Sequence, residues 1–200
     1  VQRAADRFRV EHDGITSWHS FSAGAHYDPD NVAFGPLLAC DEHVLAPGAS
    51  FPAHRHARVE LVSWVLAGVL RHEDASGRVA LVRPGQVQHQ LAGRGIEHVE
   101  RNASDCEPLR FVQLWLLCDA DEPAYELTAP PARLATATAT LTVHHEGQLT
   151  TTPDAHLFVC AGTYSAAGAQ LYAGDSVRAT ERLEVTGTGE LLVIMHPAPS

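Results

Sequence analysis

The chain consists of short apolar runs that are separated by glycine, proline and aspartate residues. Many runs are rich in β-branched or aromatic residues, and many alternate apolar with polar positions, which is typical of strands with one buried face. No long stretch repeats its apolar residues with the period of a helix. Strands are predicted at 41–46, 59–66, 69–73, 79–82, 87–91, 97–100, 109–117, 141–145, 156–160, 169–172, 182–185 and 190–195. Turn signals such as Pro47-Gly48 lie between them, so the pattern predicts an all-β barrel or sandwich.

An acidic, proline-rich segment over 119–135 divides the chain into two parts. We interpret it as a linker between an N-terminal domain, 1–118, and a C-terminal domain, 136–200. Residues 169–181 faintly repeat residues 79–91, since both read as an apolar strand, a glycine turn and a second strand. This repeat predicts two barrels of related form.

Composition excludes several classes of function. The formal net charge of -10 argues against nucleic-acid backbones and anionic membranes as partners. All 14 basic residues are arginine, which excludes Schiff-base chemistry, pyridoxal phosphate attachment and a lysine-containing phosphate loop. No apolar run approaches the roughly 20 residues that span a bilayer, and the first residues contain no apolar leader. With four cysteines and no C-x-x-C pair, we expect reduced thiols in a cytoplasmic protein.

Two short motifs each place two metal-type ligands two residues apart: His54-Arg55-His56 and His98-Val99-Glu100. On a strand, residues i and i+2 point to the same face, roughly 6.6 Å apart. If both strands face one cavity, three imidazoles and one carboxylate meet around a single ion, and coordination positions remain open for chemistry. The C-terminal half lacks such pairs, so we expect its barrel to be degenerate.

The residues around these pairs carry a resemblance to known proteins. The stretch GASFPAHRHARVE, from Gly48 to Glu60, fits the first cupin motif, and PGQVQHQLAGRGIEH resembles the second. Over roughly residues 17–118 the chain resembles the N-terminal barrel of the pirin family. The most specific piece is G-x-G-I-x-H-x-E, which starts at Gly93 and ends at Glu100.

This resemblance implies a bicupin: a metal-binding cupin barrel of double-stranded β-helix (jelly-roll) form, followed by a degenerate cupin-like barrel. Pirins hold iron through residues that match His54, His56, His98 and Glu100. The family's H-P-H has Arg55 at its centre here, its His-Ser-Glu has Val99, and His89 stands where pirins often carry a bulky residue. All four ligand positions are nevertheless present.

The identity of the carboxylate ligand is left open by the residues themselves. General cupin spacing favours Glu60, whereas the resemblance to pirins favours Glu100, which shares a strand face with His98. Glu60 would then orient a histidine, act as a base near the metal, or form an ordinary ion pair. His72 and His89 either line the cavity or are hydrogen-bonded barrel histidines without a chemical role.

The donor set suits a divalent first-row metal: Fe(II) first, then Mn, Ni, Co, Cu or Zn. Because some bacterial pirin-like proteins have quercetin 2,3-dioxygenase activity, the resemblance implies oxidative cleavage of a flavonol-like enol by O2. A small aromatic or enolic substrate would lose a proton to Glu100 or Glu60 as catalytic base. The alternatives are a non-enzymatic, iron-binding regulator that acts through protein partners, and a metal-dependent isomerase or lyase. We expect a monomer.

Overall fold

The computed structural model describes residues 1–128 and 133–196, and these residues form strands, turns and one short 3-10 helix, Ala4–Asp6. The strands are β1 (Phe8–His12), β2 (Ile15–His19), β3 (Leu37–Leu45), β4 (Ser50–His56), β5 (Val59–Ala67), β6 (Leu70–Asp74), β7 (Val79–Val82), β8 (Val87–Leu91), β9 (Ile96–Asn102), β10 (Leu109–Leu117), β11 (Ala124–Thr128), β12 (Arg133–Ala135), β13 (Thr140–Thr150), β14 (Ala155–Ala166), β15 (Ala169–Tyr172), β16 (Ser176–Ala179) and β17 (Glu184–Met195). Within those ranges no helix has the length and apolar character of a membrane span.

The strands form three antiparallel sheets. The N-terminal half contains a seven-stranded sheet, in the order β1-β2-β3-β10-β5-β8-β11, and a four-stranded sheet, in the order β4-β9-β6-β7. An apolar cluster that includes Val65, Leu70 and Phe111 packs between these two sheets. The C-terminal half is built from β12-β13-β17-β14-β15, with β16 paired to β14. The architecture is thus all-β, as the alternating pattern predicts.

The seven-stranded sheet separates two environments. On one face, Val62 and Leu114 join Phe158 and Leu192 of the C-terminal half in the largest buried apolar cluster. Successive side chains on a strand point to opposite faces, so the residues between those apolar positions point into the N-terminal barrel. This alternation decides which polar residues of β5, β8 and β10 reach the functional site.

Four predicted strands have the observed bounds: β7, β8, β10 and β15. Two predicted strands, at 182–185 and 190–195, are instead parts of the single strand β17. The glycines between the two predicted strands are part of β17 and do not form a turn. They let β17 lie close to β14, since a Cβ on Gly189 would lie 2.1 Å from the carbonyl oxygen of Ala161. The short strands β1, β2 and β16 were not predicted. β2 and β16 lack regular apolar alternation, and β1 alternates over only five residues.

The structure also bears on the predicted linker, 119–135. Ala124–Thr128 pairs with β8 and so extends the N-terminal sheet. Arg133–Ala135 pairs with β13 in the C-terminal half, and residues 129–132 lie outside the described part of the chain. Residues 197–200 of the predicted C-terminal domain also lie outside it. The division at 1–118 and 136–200 therefore stays a prediction.

The faint sequence repeat corresponds to a repeat in strand pairing. In the first half, β7 pairs with β6 and β8 pairs with β5. In the second half, β15 pairs with the end of β14 and β16 pairs with its beginning. One long strand thus takes the place of β5 and β6, which supports two barrels of related form.

His156 makes the stability of the C-terminal half sensitive to acid. It is completely buried near Phe21, and neither ring nitrogen has a hydrogen-bond partner in the residues that the structure describes. Burial, with a contribution from Arg178, lowers the pKa of His156 to about 3. The unfolded chain therefore takes up a proton near pH 6.5 that the folded chain refuses, and stability falls as pH drops below that value.

We expect His156→Leu to flatten this dependence. Between pH 7 and pH 5 the wild type should lose about 2 kcal/mol more free energy of unfolding than the variant does. Urea unfolding at both pH values measures the difference, and the exposed His145→Leu serves as the control. Parallel pH profiles for wild type and His156→Leu would contradict the expectation.

Candidate metal centre

Two paired strands bring the three predicted imidazole ligands together. β4 and β9 are neighbours in the four-stranded sheet, and their register places His54 directly opposite His98. His56 lies two residues further along and shares the face of His54. The three ring centroids lie between 4.5 and 4.9 Å from one another. The cluster that the two short motifs predict is therefore present in the fold.

Hydrogen bonds around these rings leave free nitrogens that face each other. His54 Nδ1 donates to the carbonyl oxygen of Pro52 at 2.7 Å, and His98 Nδ1 donates to Gln90 Oε1 at 2.9 Å. Because Nδ1 is the hydrogen-bond donor in both rings, the Nε2 atoms are the ones left to offer lone pairs, and they lie 2.9 Å apart. His56 Nε2 is buried and has no partner among the described residues. Three ring nitrogens without a protein donor in one cluster fit a bound cation.

The imidazoles of His56 and His98 are in the form that binds metals. Burial, together with the neighbouring His54 and His72 rings, lowers the pKa of His98 to about 3. Burial, with the His98 and His54 rings, lowers the pKa of His56 to about 4. Both side chains are therefore neutral near pH 7, and a metal ion does not have to displace a proton from either of them.

Glu100 supplies a buried carboxylate beside the histidines. Its Oε2 lies 3.9 Å from His98 Nε2, and one donor atom each of His72, His98 and Glu100 lie within 4.8 Å of one another. Gln113 Nε2 donates to both carboxylate oxygens, at 2.9 and 3.0 Å, and Gln88 Nε2 donates to one at 3.5 Å. These amides hold the carboxylate in one orientation toward the histidines.

His72 lies closer to the cluster than its sequence context indicates. Its ring centroid is 5.2 Å from that of His98, and its side chain is fully buried on β6. His72 Nε2 lies 3.4 Å from Asp74 Oδ2, while Nδ1 has no hydrogen-bond partner among the described residues. Of the two open interpretations of His72, the structure favours a position next to the site.

Glu60 and His89 lie on the other face of the seven-stranded sheet. Glu60 Oε2 is 2.9 Å from His89 Nε2, and Oε1 accepts a hydrogen bond from the Ala137 N–H. Burial opposes ionisation, but the hydrogen bonds from His89 and Ala137 lower the pKa of Glu60 below its usual range. Within the part of the chain that the structure describes, Glu60 belongs to neither group of close metal-type donors. This carboxylate ties the start of the predicted C-terminal domain to the N-terminal barrel.

The Gly-x-Gly of the second motif makes room for Arg55. A Cβ on Gly95 would lie 1.8 Å from the guanidinium of Arg55, which donates to the carbonyl oxygen of Arg94 at 2.7 Å. Arg55 stands where pirins carry proline, and it points to the exposed side of β4, away from its two histidine neighbours. The departure from the H-P-H pattern therefore leaves the histidine cluster intact.

A cavity of about 600 Å³ adjoins the cluster. His54, Glu100, Gln113 and Trp115 line it on the side of the metal-type ligands. The rest of its lining comes from the N-terminal strands and the loop after β2, and consists of Val10, His12, Ser17, His19, Phe21, Ser22, Ala23, Gly24, Leu38, Ala39, Asp41, His43, Phe51 and Pro52. Its volume and largely apolar walls suit a small organic molecule.

The polar residues that form hydrogen bonds with His98 and Glu100 were not predicted from the sequence. Gln88 and Gln90 point into the barrel from β8, and Gln113 does so from β10, where Trp115 Nε1 donates to Gln113 Oε1 at 2.9 Å. The available signal was the pair of glutamines on either side of His89 in a strand of otherwise apolar character. Period-two alternation would have placed both amides on one face.

We expect Gln90→Met to weaken metal binding by about 10- to 100-fold, because His98 loses the acceptor that fixes its tautomer and orientation. Competition with a chromogenic chelator measures the affinity. His89→Asn is the matched control, since its side chain lies one residue away on the opposite face of β8. Equal loss of affinity in both variants would show that the effect comes from the strand and not from the hydrogen bond.

Comparison with known proteins agrees with this geometry. The pirin family profile matches residues 2–116. A Mycobacterium tuberculosis protein named "Putative quercetin 2,3-dioxygenase" is 36% identical over an alignment 210 residues long. This alignment covers 90% of this chain and 86% of that protein. A protein of Escherichia coli K12 named quercetin 2,3-dioxygenase is 34% identical over 128 residues, which cover 63% of this chain and 55% of the relative.

Among solved structures, the bacterial pirin YhhW of Escherichia coli, in complex with nickel(II), matches with a TM-score of 0.88. The two sequences are 24% identical, and the match covers 98% of each chain. This similarity confirms the predicted fold, an all-β bicupin. With the family profile and the mycobacterial relative, it leads to one conclusion: the chain belongs to the pirin family.

Proposed function

We propose that this protein is a mononuclear metal-dependent dioxygenase that cleaves a flavonol-like enol with O2. The observation that carries the proposal is the pair of facing lone pairs on His54 and His98, 2.9 Å apart, beside a buried carboxylate and a cavity of about 600 Å³. The names of the mycobacterial and Escherichia coli relatives support the same reaction class.

In this proposal His54, His56, His98 and Glu100 hold one divalent ion. Three neutral imidazoles and one carboxylate leave the site with a single compensating negative charge, which suits Fe(II) first and Mn, Ni, Co, Cu or Zn as alternatives. The nickel(II) complex of YhhW supports a transition metal without selecting one for this chain. When bound, the ion would supply Lewis acidity toward an enol oxygen and redox chemistry toward O2.

The residues of the chain bind and orient the substrate. Phe51 and Trp115 line the cavity beside the ligands and would pack against a planar aromatic ring system. The apolar side chains of the cavity wall would keep water away from the reacting ring. Gln113 keeps the Glu100 carboxylate directed at the enol end of such a ring.

Glu100 is the group that we assign as base. The proton of the substrate hydroxyl passes to one Glu100 oxygen, which leaves the enolate as the electron-rich species that O2 oxidises. Glu60 was the alternative base, but its two oxygens bind His89 and the Ala137 N–H on the other face of the sheet. We therefore assign Glu60 a positioning role, through its contact with His89 on β8.

Anaerobic reconstitution with Fe(II), followed by addition of quercetin and then air, tests the proposal. We expect stoichiometric oxygen uptake and loss of the flavonol absorbance, and metal analysis of protein purified without added metal identifies the ion it carries. Conversion without oxygen would point to an isomerase or lyase. Bound metal without turnover for any of the six metals would overturn the dioxygenase and favour an iron-binding regulator.

A further inference from the structure

A row of polar side chains crosses the inner face of the seven-stranded sheet. The residues stand directly opposite one another on five neighbouring strands, from β2 through β3, β10 and β5 to β8: His19, Asp41, Gln113, Ser63 and Gln88. Gln113 and Gln88 hold the Glu100 carboxylate, and Ser63 accepts from Gln113 at 3.2 Å. The metal centre therefore accounts for three of the five residues and leaves His19 and Asp41 without a role.

His19 and Asp41 form a nearly buried pair in the wall of the cavity. His19 Nδ1 lies 2.9 Å from Asp41 Oδ2, and both side chains line the cavity. A carboxylate in such a setting is costly unless a partner offsets its desolvation. The contact with Asp41 is close but does not form a hydrogen bond, and neither ring nitrogen of His19 has a hydrogen-bond partner within residues 1–128 and 133–196. Nε2, on the side of the ring away from Asp41, is therefore available to a molecule in the cavity.

The same cavity carries polar side chains at the metal centre and at this pair, together with apolar side chains. His54 and Glu100 line the first polar region, whereas Phe21, Leu38 and Phe51 contribute apolar lining. A ligand that matches this lining is flat, largely apolar, and carries hydroxyl groups on more than one ring.

We propose that His19, oriented by Asp41, binds a hydroxyl group on the part of the substrate that does not reach the metal centre. Nε2, the ring nitrogen that points away from Asp41, is the atom that would accept the substrate O–H. The pair thereby selects planar aromatic enols that bear a second, distant hydroxyl over those that lack it. The inference rests on the proposed function, because it requires the enol to face Glu100 and His54.

The discrimination arises from an unmade hydrogen bond. A site built to accept a hydroxyl proton loses affinity for an analogue without that hydroxyl, because the buried acceptor then stays unpaired. Removing the acceptor should erase the preference without affecting the analogue. His19 is thus a specificity-determining residue, and Asp41 positions it.

Anaerobic binding to metal-loaded protein tests this assignment with two probes. Quercetin carries hydroxyls on several rings, and 3-hydroxyflavone carries only the enol hydroxyl. We expect His19→Phe to weaken quercetin binding about tenfold and to leave 3-hydroxyflavone binding unchanged. Asp41→Asn, which keeps the shape of the side chain, should cause a smaller loss in the same direction. His26→Phe is the control, since His26 is exposed and stacks on Phe8.

Each outcome decides the proposal. Equal weakening of both flavonols by His19→Phe would assign His19 a purely structural role and overturn it, as would unchanged quercetin affinity. Wild-type protein that binds neither flavonol would overturn it together with the proposed function. Selective loss of quercetin affinity in a protein that does not turn quercetin over would support the role of His19 and refute the dioxygenase alone.

Discussion

His98→Ala should abolish metal binding and, with it, all turnover. His98 is the one residue common to both groups of close metal-type donors, so its removal dismantles each of them. The remaining Nε2 atoms of His54 and His56 then lack the imidazole through which Glu100 joins the cluster. The loss of affinity should exceed the roughly 100-fold that removal of an outer hydrogen-bond partner causes.

Metal analysis after dialysis against a weak chelator measures this effect, and oxygen uptake with quercetin measures its consequence. His156→Leu is a suitable comparison, because it also removes a fully buried imidazole but lies in the C-terminal half. A far-UV spectrum like that of the wild type shows that the fold persists. If His98→Ala kept one equivalent of metal, the ion would have to lie elsewhere in the molecule.

The histidine cluster could be predicted from sequence because it depends on local geometry. His54 and His56 share a face by strand periodicity alone, and the G-x-G-I-x-H-x-E motif identifies His98 within a family that uses it. What the sequence could not supply is the register of β4 against β9, which places His54 opposite His98. Register is a long-range property, set by packing of whole sheets.

The choice between Glu60 and Glu100 shows why a side chain's face matters more than its spacing along the chain. Glu60 is only four residues from His56, yet β5 belongs to the seven-stranded sheet and directs this side chain toward His89. The sequence shows that alternate residues of β5, and likewise of β8, point to opposite faces of the sheet. Which of the two faces lies toward the metal centre is decided only when the C-terminal half packs on Val62. The supporting glutamines were missed for the same reason.

A matched pair of substitutions separates the two carboxylates. We expect Glu100→Gln to lower kcat by roughly 100- to 10,000-fold, the usual contribution of a positioned acid or base. The amide also places an NH2 group against Gln113 Nε2, which now donates to both carboxylate oxygens, so the side chain cannot keep its present orientation. Oxygen uptake at saturating metal measures kcat apart from any change in metal affinity.

Glu60→Gln should have the opposite profile. Because Glu60 binds His89 and the Ala137 N–H on the face of the seven-stranded sheet that points away from the histidine cluster, the variant should keep kcat within a few-fold of wild type. Its melting temperature should fall, since a buried charge-assisted hydrogen bond to His89 is lost, at a cost of about 1 to 3 kcal/mol. Loss of turnover in Glu60→Gln at full metal occupancy, with turnover retained in Glu100→Gln, would return the catalytic role to Glu60.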